Sequence, residues 1–400
     1  MNEWRKVKLG NYLYIKGRIG WKGLKKSEYL SKSDYRIINA EAIFDGKINW
    51  SKTGYITKER YEESPEIMLQ NDDILISKDG TIGKIGYIKN LEQKTTVASG
   101  IFVIRNNNFE ILDTKFIYHF LSSKYFKNFI QTRIEGSVIP HLYQKDFIEL
   151  EMPFPSLNIQ KKISKFLSDI DERIELNNKI NDNLEKLIFL IYQNIFSNNI
   201  IKKECKMNEY FDISIGKTPP RKNQEYFSNN SDNNLWVSIL DMKSSGIYIN
   251  KSSEYLTDEA IKKCNIKIIP KNTLLLSFKL TIGRIAITYL DKTTTNEAIA
   301  HFLTDKKGAT EYLYCYLKKF NFNTLGSTSS IATAVNSKII KEMPFIVPQE
   351  KDLENFYNLV KPLFENIKNN QIASEKLINL KNYLLPRLMN GEIDVEKIEL

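Results

Sequence analysis

The sequence predicts an α+β chain: two similar mixed α/β domains separated by two long antiparallel, coiled-coil-like helices, with an internal pseudo-two-fold repeat. Two apolar stripes at helical spacing and one internal duplication predict it. The duplication is the strongest observation. Asp73-Ile-Leu-Ile-Ser77-Lys-Asp-Gly-Thr81-Ile82-Gly83-Lys84-Ile85 recurs as Thr273-Leu-Leu-Leu-Ser277-Phe-Lys-Leu-Thr281-Ile282-Gly283-Arg284-Ile285, an offset of 200 residues. Tyr35 to Glu41 (YRIINAE) stands opposite Trp236 to Met242 (WVSILDM), and Glu151-Met152-Pro153-Phe154 recurs as Glu342-Met343-Pro344-Phe345. A long helix follows each copy. Two copies are too few for a solenoid and make a pseudo-dimer in one polypeptide.

The first stripe runs from Asn158 to about Asn199 through Ile159, Ile163, Phe166, Ile170, Ile174, Ile180, Leu184, Leu187, Ile191 and Ile195. Steps mostly of three and four make a helical face close to a heptad seam. Asn177 interrupts it, and a polar residue at a seam position fixes register at some cost in stability. About forty residues at about 1.5 Å each make a rod of roughly 60 Å. Such a face needs a partner, and the end of the chain offers one: Phe356, Val360, Leu363, Ile367, Ile372, Leu377, Leu380, Leu384 and Leu388, interrupted by Asn370. Pro362 and Pro386 predict a start or kink, and Gly391 a stop. The boundaries are then a first domain 1–156, a central helix 157–200, a second domain 201–348 and a C-terminal helix 349–400 packed on the central one.

Within each domain the signals are mixed. Asp73 to Ser77 and Ile85 to Lys89 read as strands around a glycine turn, and Val97 to Arg105 as another strand. Lys115 to Gln131 has helical spacing through Phe116, Phe120, Phe126 and Phe129, matched later by Glu311 to Phe320. Thr132 to Tyr143 reads as a polar loop, with Leu325 to Thr333 as its equivalent.

Four hundred residues and a net charge of +10 bound the function. A basic balance suits an anionic partner, most often nucleic acid. Cys205, Cys264 and Cys315 are isolated, which argues for a reducing compartment and against a disulfide framework or zinc site. No apolar run near twenty residues and no signal peptide is present, so a soluble cytoplasmic protein away from membranes is expected.

No catalytic signature survives inspection. Gly216-Lys217-Thr218 resembles the tail of a P-loop, but Phe211 stands where the earlier glycine belongs and two prolines follow. HExxH, GxSxG and CxxC are all missing. No metal ligands or catalytic residues are therefore assigned. What remains is a binding surface. Lys16, Arg18, Lys22, Lys25 and Lys26 cluster around Trp21, with Lys217, Arg221 and Lys222 in the corresponding place of the second copy. The turns add Lys78, Thr81 and Lys84, then Lys279, Thr281 and Arg284. The polar loops add Arg133, Ser137 and His141, then Thr328 and Ser329. Cations suit phosphates, and hydroxyls or an imidazole suit base edges.

In this order the features resemble the specificity (S) subunit of type I restriction-modification systems. The loop Gly136-Ser137-Val-Ile-Pro140-His141-Leu142 and the ending Leu384-Leu385-Pro386-Arg387-Leu388-Met389-Asn390-Gly391-Glu392-Ile393 belong to the resemblance, which spans essentially the whole chain. It implies that the domains are target recognition domains, each reading half of a bipartite double-stranded DNA site. It implies that the helices dock two methyltransferase (M) subunits, with two restriction (R) subunits where restriction is present. S-adenosylmethionine, ATP and Mg are then expected on the partner subunits and none on this chain. Ile331-Ala332-Thr333 stands where the first copy has Ile139-Pro140-His141, so the half-sites should differ. Two other readings stand beside it: an autonomous DNA-binding regulator acting as a pseudo-dimer, and a nuclease or methyltransferase with degenerate motifs.

Overall fold

The computed structural model describes residues 4–19, 24–44, 46–134, 141–197, 203–325 and 335–397. The chain divides into two compact units, Met1–Arg173 with Lys376–Leu400, and Ile174–Glu375.

In the first unit, a four-stranded antiparallel sheet has the order Leu13–Gly17, Ile101–Asn106, Ile74–Ser77, Ile85–Tyr87. Ile74–Ser77 is buried along its whole length. Such a strand reads as a continuous apolar run because both faces are covered. A second sheet places Tyr35–Ile38 between Gly54–Ile56, antiparallel, and Lys94–Val97, parallel. The second unit repeats both. Its first sheet runs Asp212–Ile215, Ile299–Leu303, Leu274–Ser277, Ile285–Thr288, with Tyr248–Ile249 added in parallel at the edge. Its second sheet sets Asn234–Val237 between Glu254–Leu256, antiparallel, and Thr293–Thr295, parallel.

The repeated Glu-Met-Pro-Phe segments supply edge strands in both units, Glu151–Phe154 and Pro344–Val347. Pro153 faces Lys6 and Pro344 faces Lys206. Proline cannot donate to a ladder, so an edge is where it fits. The match of Tyr35 to Trp236 is off by two residues. Asn39 and Ser238 both cap the helical turn that follows the central strand, which pairs Ile38 with Val237.

The expected helix from Lys115 to Gln131 is two helices, Thr114–Leu121 and Lys124–Ile134. Ser122 and Ser123 end the first: Ser122 Oγ donates to Tyr118 O at 2.8 Å, and Ser123 Oγ accepts from Phe126 N at 3.4 Å. Serines compete with the backbone for hydrogen bonds and favour such breaks. The second helix also takes in Thr132, Arg133 and Ile134, which the sequence assigned to a loop.

Both long helices are present, Leu157–Phe196 and Glu350–Met389, each 40 residues. The second runs through Pro362 and Pro386 without a break, contrary to expectation, and starts twelve residues before Pro362. It ends at Gly391, φ +70°, with Glu392 N donating to Arg387 O at 2.9 Å; this is the six-to-one bond of a glycine-closed helix end.

Each unit takes a share of both helices. In the first, Ile163 and Leu167 join the core with Leu385 and Leu388, and Ile170 is buried as well. There Lys381 Nζ donates to both oxygens of Asp171 at 2.6 Å. In the second, Ile188 joins Phe356, Val360, Phe364 and Ile367. There buried Asn177 donates to Ser374 Oγ at 3.1 Å, and Asn370 donates to Asn181 Oδ1 at 2.9 Å. As the first helix advances its partner recedes, so the shares are antiparallel. Both expected asparagines sit in polar seam layers, with different partners rather than each other. The core of each unit therefore includes residues of both helices. Ile180 and Leu187, placed on the buried stripe from sequence, are exposed, and Ile188 is buried instead.

Candidate nucleic-acid interface

The two copies of the turn are built alike. In the first unit, Ser77 Oγ donates to Thr81 O at 2.6 Å and accepts from Lys84 N at 2.9 Å. In the second, Ser277 Oγ donates to Thr281 O at 2.6 Å and accepts from Arg284 N at 3.0 Å. Gly83 and Gly283 have φ +82° and +88°. A Cβ there would lie 2.7 Å from Ile130 Cδ1 or 2.9 Å from Phe322, so glycine is required twice over. One serine hydroxyl thus closes each turn and leaves Thr81 and Thr281 exposed at its tip.

In the first unit the turn meets the start of the segment after the polar loop. Leu142 N donates to Lys78 O at 3.1 Å, and His141 Nδ1 pairs with Asp79. The His141 ring lies edge-on to Tyr143 at 4.7 Å. Asp146 accepts from Tyr143 N at 2.9 Å and stands 3.8 Å from Arg133 Nε. Beneath them, Lys78 lies over Phe102 at 4.8 Å and Arg133 over Phe129 at 4.9 Å. Phe147 packs on Phe102, and Phe126 on both Phe147 and Phe129. This aromatic support holds two cations on one polar cluster. Burial lowers the Lys78 pKa, with Asp79 opposing. Lys16 is exposed on a neighbouring strand, whose Ile15 O accepts from Gln144 at 2.9 Å.

In the second unit, Glu297 is the centre. The Thr218 hydroxyl bonds to it and lowers its pKa, and Lys279 and Arg221 add to the lowering. Arg221 makes a bidentate pair with Glu254 at 2.7 and 2.8 Å and stacks on Phe227 and Trp236. Lys217 donates to Cys264 O at 2.6 Å, Lys222 is exposed, and Lys279 is exposed above Phe278. Gly216-Lys217-Thr218 is not a phosphate cradle: Lys217 N donates to Thr295 O at 2.9 Å.

Some expected contacts are reassigned. Arg18 is only 2% exposed, and its guanidinium donates to Val97 O, Ser64 Oγ and Thr96 Oγ1. Burial also lowers its pKa. A guanidinium spent on interior acceptors cannot reach phosphate, so Arg18 is a core residue. Lys84 Nζ donates to Ala40 O at 3.1 Å and Arg284 Nη1 to Ile239 O at 2.5 Å. They tie each turn to the capped helical turn after the central strand. Lys25 and Lys26 stay exposed at a short helical turn, Lys26–Glu28. Lys22, Ser137, Thr328 and Ser329 lie outside the described residues.

Sequence reading missed Asp79 and Glu297, the carboxylates around which the cations gather. It also missed Arg36, whose guanidinium carbon stands 5.3 Å from the Trp50 ring and 5.5 Å from Tyr55. The Asp79–His141 pair joins residues distant in sequence, which no local pattern records. The three cysteines are free, and the described residues hold no group of three or more His, Cys, Asp or Glu suited to a metal. None of the described helices is long and apolar enough to cross a membrane.

Comparison with known proteins bears on these surfaces. The family model for the type I restriction modification DNA specificity domain matches residues 1–186 and 200–375. The chain is 25% identical over 372 residues to the specificity subunit of the type I restriction enzyme MjaIX of Methanocaldococcus jannaschii, with 86% of this chain and 82% of that one covered. It is 21% identical over 379 residues to the HindI specificity subunit of Haemophilus influenzae, with 74% and 81% covered. The S subunit of a type I restriction-modification system from M. genitalium has a similar fold, with TM-score 0.57, 18% identity and 96% of each chain covered.

Proposed function

The chain belongs to the type I restriction-modification DNA specificity family, and from that premise we propose that each unit reads one half of a bipartite site on double-stranded DNA. It is a non-catalytic specificity subunit. The carrying observation is the serine-closed turn, built twice with the same serine hydroxyl bonds and surrounded by different side chains. Phosphate contacts position a protein on DNA, and base contacts specify the sequence. Lys16, Lys25, Lys26, Lys217, Lys222 and Lys279 suit the first role. Thr81, His141 and Thr281 suit the second, with Ser137, Thr328 and Ser329 as further candidates.

Methyltransferase subunits dock on the helices in this reading, joined by restriction subunits where those exist. In the second unit Leu176, Ile180, Leu187 and Leu190 are exposed on one helix. Steps of four, seven and three put them on one face, next to the seam through Asn177, Asn181, Leu184 and Ile188. An apolar face left open beside a filled one suits a partner helix. S-adenosylmethionine, ATP and Mg belong to those partners.

The test uses the assembled complex. Leu187→Glu with Leu190→Glu should abolish co-purification of the methyltransferase subunit while the circular dichroism stays that of the wild type. Retained assembly sinks the docking face. Lys25→Ala with Lys26→Ala should weaken binding to all DNA sequences alike and lower the salt slope by about 0.9 for each phosphate no longer neutralised. An unchanged slope removes that pair from the interface.

A further inference from the structure

Leu280, at the tip of the second unit's turn, is fully exposed. Its backbone is also left-handed, φ +58°. Side chains other than Gly, Asn and Asp rarely adopt that conformation, because Cβ crowds the following carbonyl. The first unit has Gly80 at the same place, φ +65°, where a Cβ would meet nothing within 4 Å. The serine hydroxyl bonds of the two turns are the same, while at the tip Ile82 N donates to Gly80 O in the first and Thr281 N to Lys279 O in the second. Glycine would relieve the strain in the second unit as it does in the first. Leucine there has backbone strain and apolar exposure against it, and it gains no contact within the fold. Stability therefore gives no reason for this residue.

Its surroundings supply one. Lys279 precedes it and Thr281 follows it, both exposed. Lys279 and Arg221 both lower the pKa of Glu297, so the cation next to Leu280 in the chain acts on the same carboxylate as Arg221. We propose that Leu280 is a specificity-determining residue that packs on the C5-methyl group of one thymine in the major groove of the second half-site. The proposal rests on the DNA-specificity reading above. The thymine methyl is the apolar group that base edges offer in the major groove, and an apolar side chain reads it directly. Lys279 on one side suits the flanking phosphate. The rigid serine-closed turn holds the leucine out with little freedom to lose. Gly80 makes no such contact, so the two units differ in this element of readout.

The experiment uses the assembled methyltransferase complex and duplexes in which each thymine of the recognised site is replaced in turn by deoxyuridine. That change deletes the methyl group alone. The wild-type complex should lose about four-fold in affinity at one position of the second half-site, the value of one buried methyl group. The Leu280→Gly complex should bind the thymine and uracil duplexes alike at that position and keep the wild-type pattern in the first half-site. Its unfolding midpoint should match or exceed that of the wild type, because the strain is gone. Wild-type sensitivity retained by Leu280→Gly at every thymine would overturn the proposal. So would a second half-site with no methyl-sensitive thymine. A wild-type complex with no site preference at all would overturn the DNA-specificity reading itself, which separates the two failures.

Discussion

At the root of the first unit's turn strand, buried Asp73 takes hydrogen bonds from Arg105 Nε and Nη2, both at 2.7 Å. At the same place in the second unit stand Thr273 and Leu303, by the shared register of the paired strands. There the polar atoms close among themselves: Thr273 N donates to Thr288 Oγ1 at 2.9 Å, and both threonine hydroxyls donate to Pro270 O. A second contrast lies on the neighbouring strands. The first unit fills its interior with the Arg18 guanidinium. The second has His301 between Ser214 Oγ at 3.0 Å and Thr295 Oγ1 at 2.7 Å. The turn above is kept while the polar interior below it changes, and Asp73, Thr273, Arg18 and His301 each find hydrogen-bond partners.

The largest effect should come from breaking the charged interior. Arg105→Leu leaves Asp73 buried without its ion partner and should cost about 3–5 kcal/mol in urea unfolding. Asp73→Thr with Arg105→Leu places the second unit's residues at these two positions and should recover most of that loss. A double variant no better than the single would show that the two interiors are not interchangeable.

Acid should weaken each unit through one buried histidine. Burial depresses His119 and His301 to about 3. Their unfolded pKa is about 6.5, so unfolding takes up protons below that pH. The stability they hold is full above pH 6.5 and falls as pH drops toward 3, by roughly 2 kcal/mol per histidine at pH 5. His301→Asn should flatten the decline between pH 7 and 5 by about half of the histidine contribution. An unchanged slope would mean that His301 is not held neutral by the fold.

The smallest effect should also be the most even. Ser77→Ala and Ser277→Ala each remove one donor and one acceptor from the turn and should each cost about 1–2 kcal/mol. Amide exchange at Lys84 and Arg284 should accelerate to a similar degree in both variants. A large difference between them would break the equivalence of the turns.

Much of this was legible in the sequence. The duplication marked two similar domains, and Asp73 to Ser77 was legible as a strand before the glycine turn, though its burial on both faces was not read. Alternation could not see the two-residue slip between Tyr35 and Trp236, because a shift of two keeps every side chain on its face. The cap residues Asn39 and Ser238 carried the correct match. On the first long helix a single stripe was read where two faces exist. Leu187 and Ile188 are neighbours in sequence and opposite in burial, and only the packed partner decides between them. Arg18 was misread because its acceptors Ser64, Thr96 and Val97 come from distant segments. The polar-loop residues Ser137, Thr328 and Ser329 rest on sequence alone. Leu280 was open to reading from the start, opposite Gly80 in the repeat.

In the reading proposed above, each unit recognises its own half of the site. The direct measurement is methylation sequencing of DNA from cells carrying the intact system, with residues 203–347 of this chain replaced by residues 5–154. The first half-site should persist, and the second should be replaced by another copy of the first. Methylation of the original two-part site by that chimaera, or the loss of both original half-sites in favour of an unrelated one, would contradict that reading.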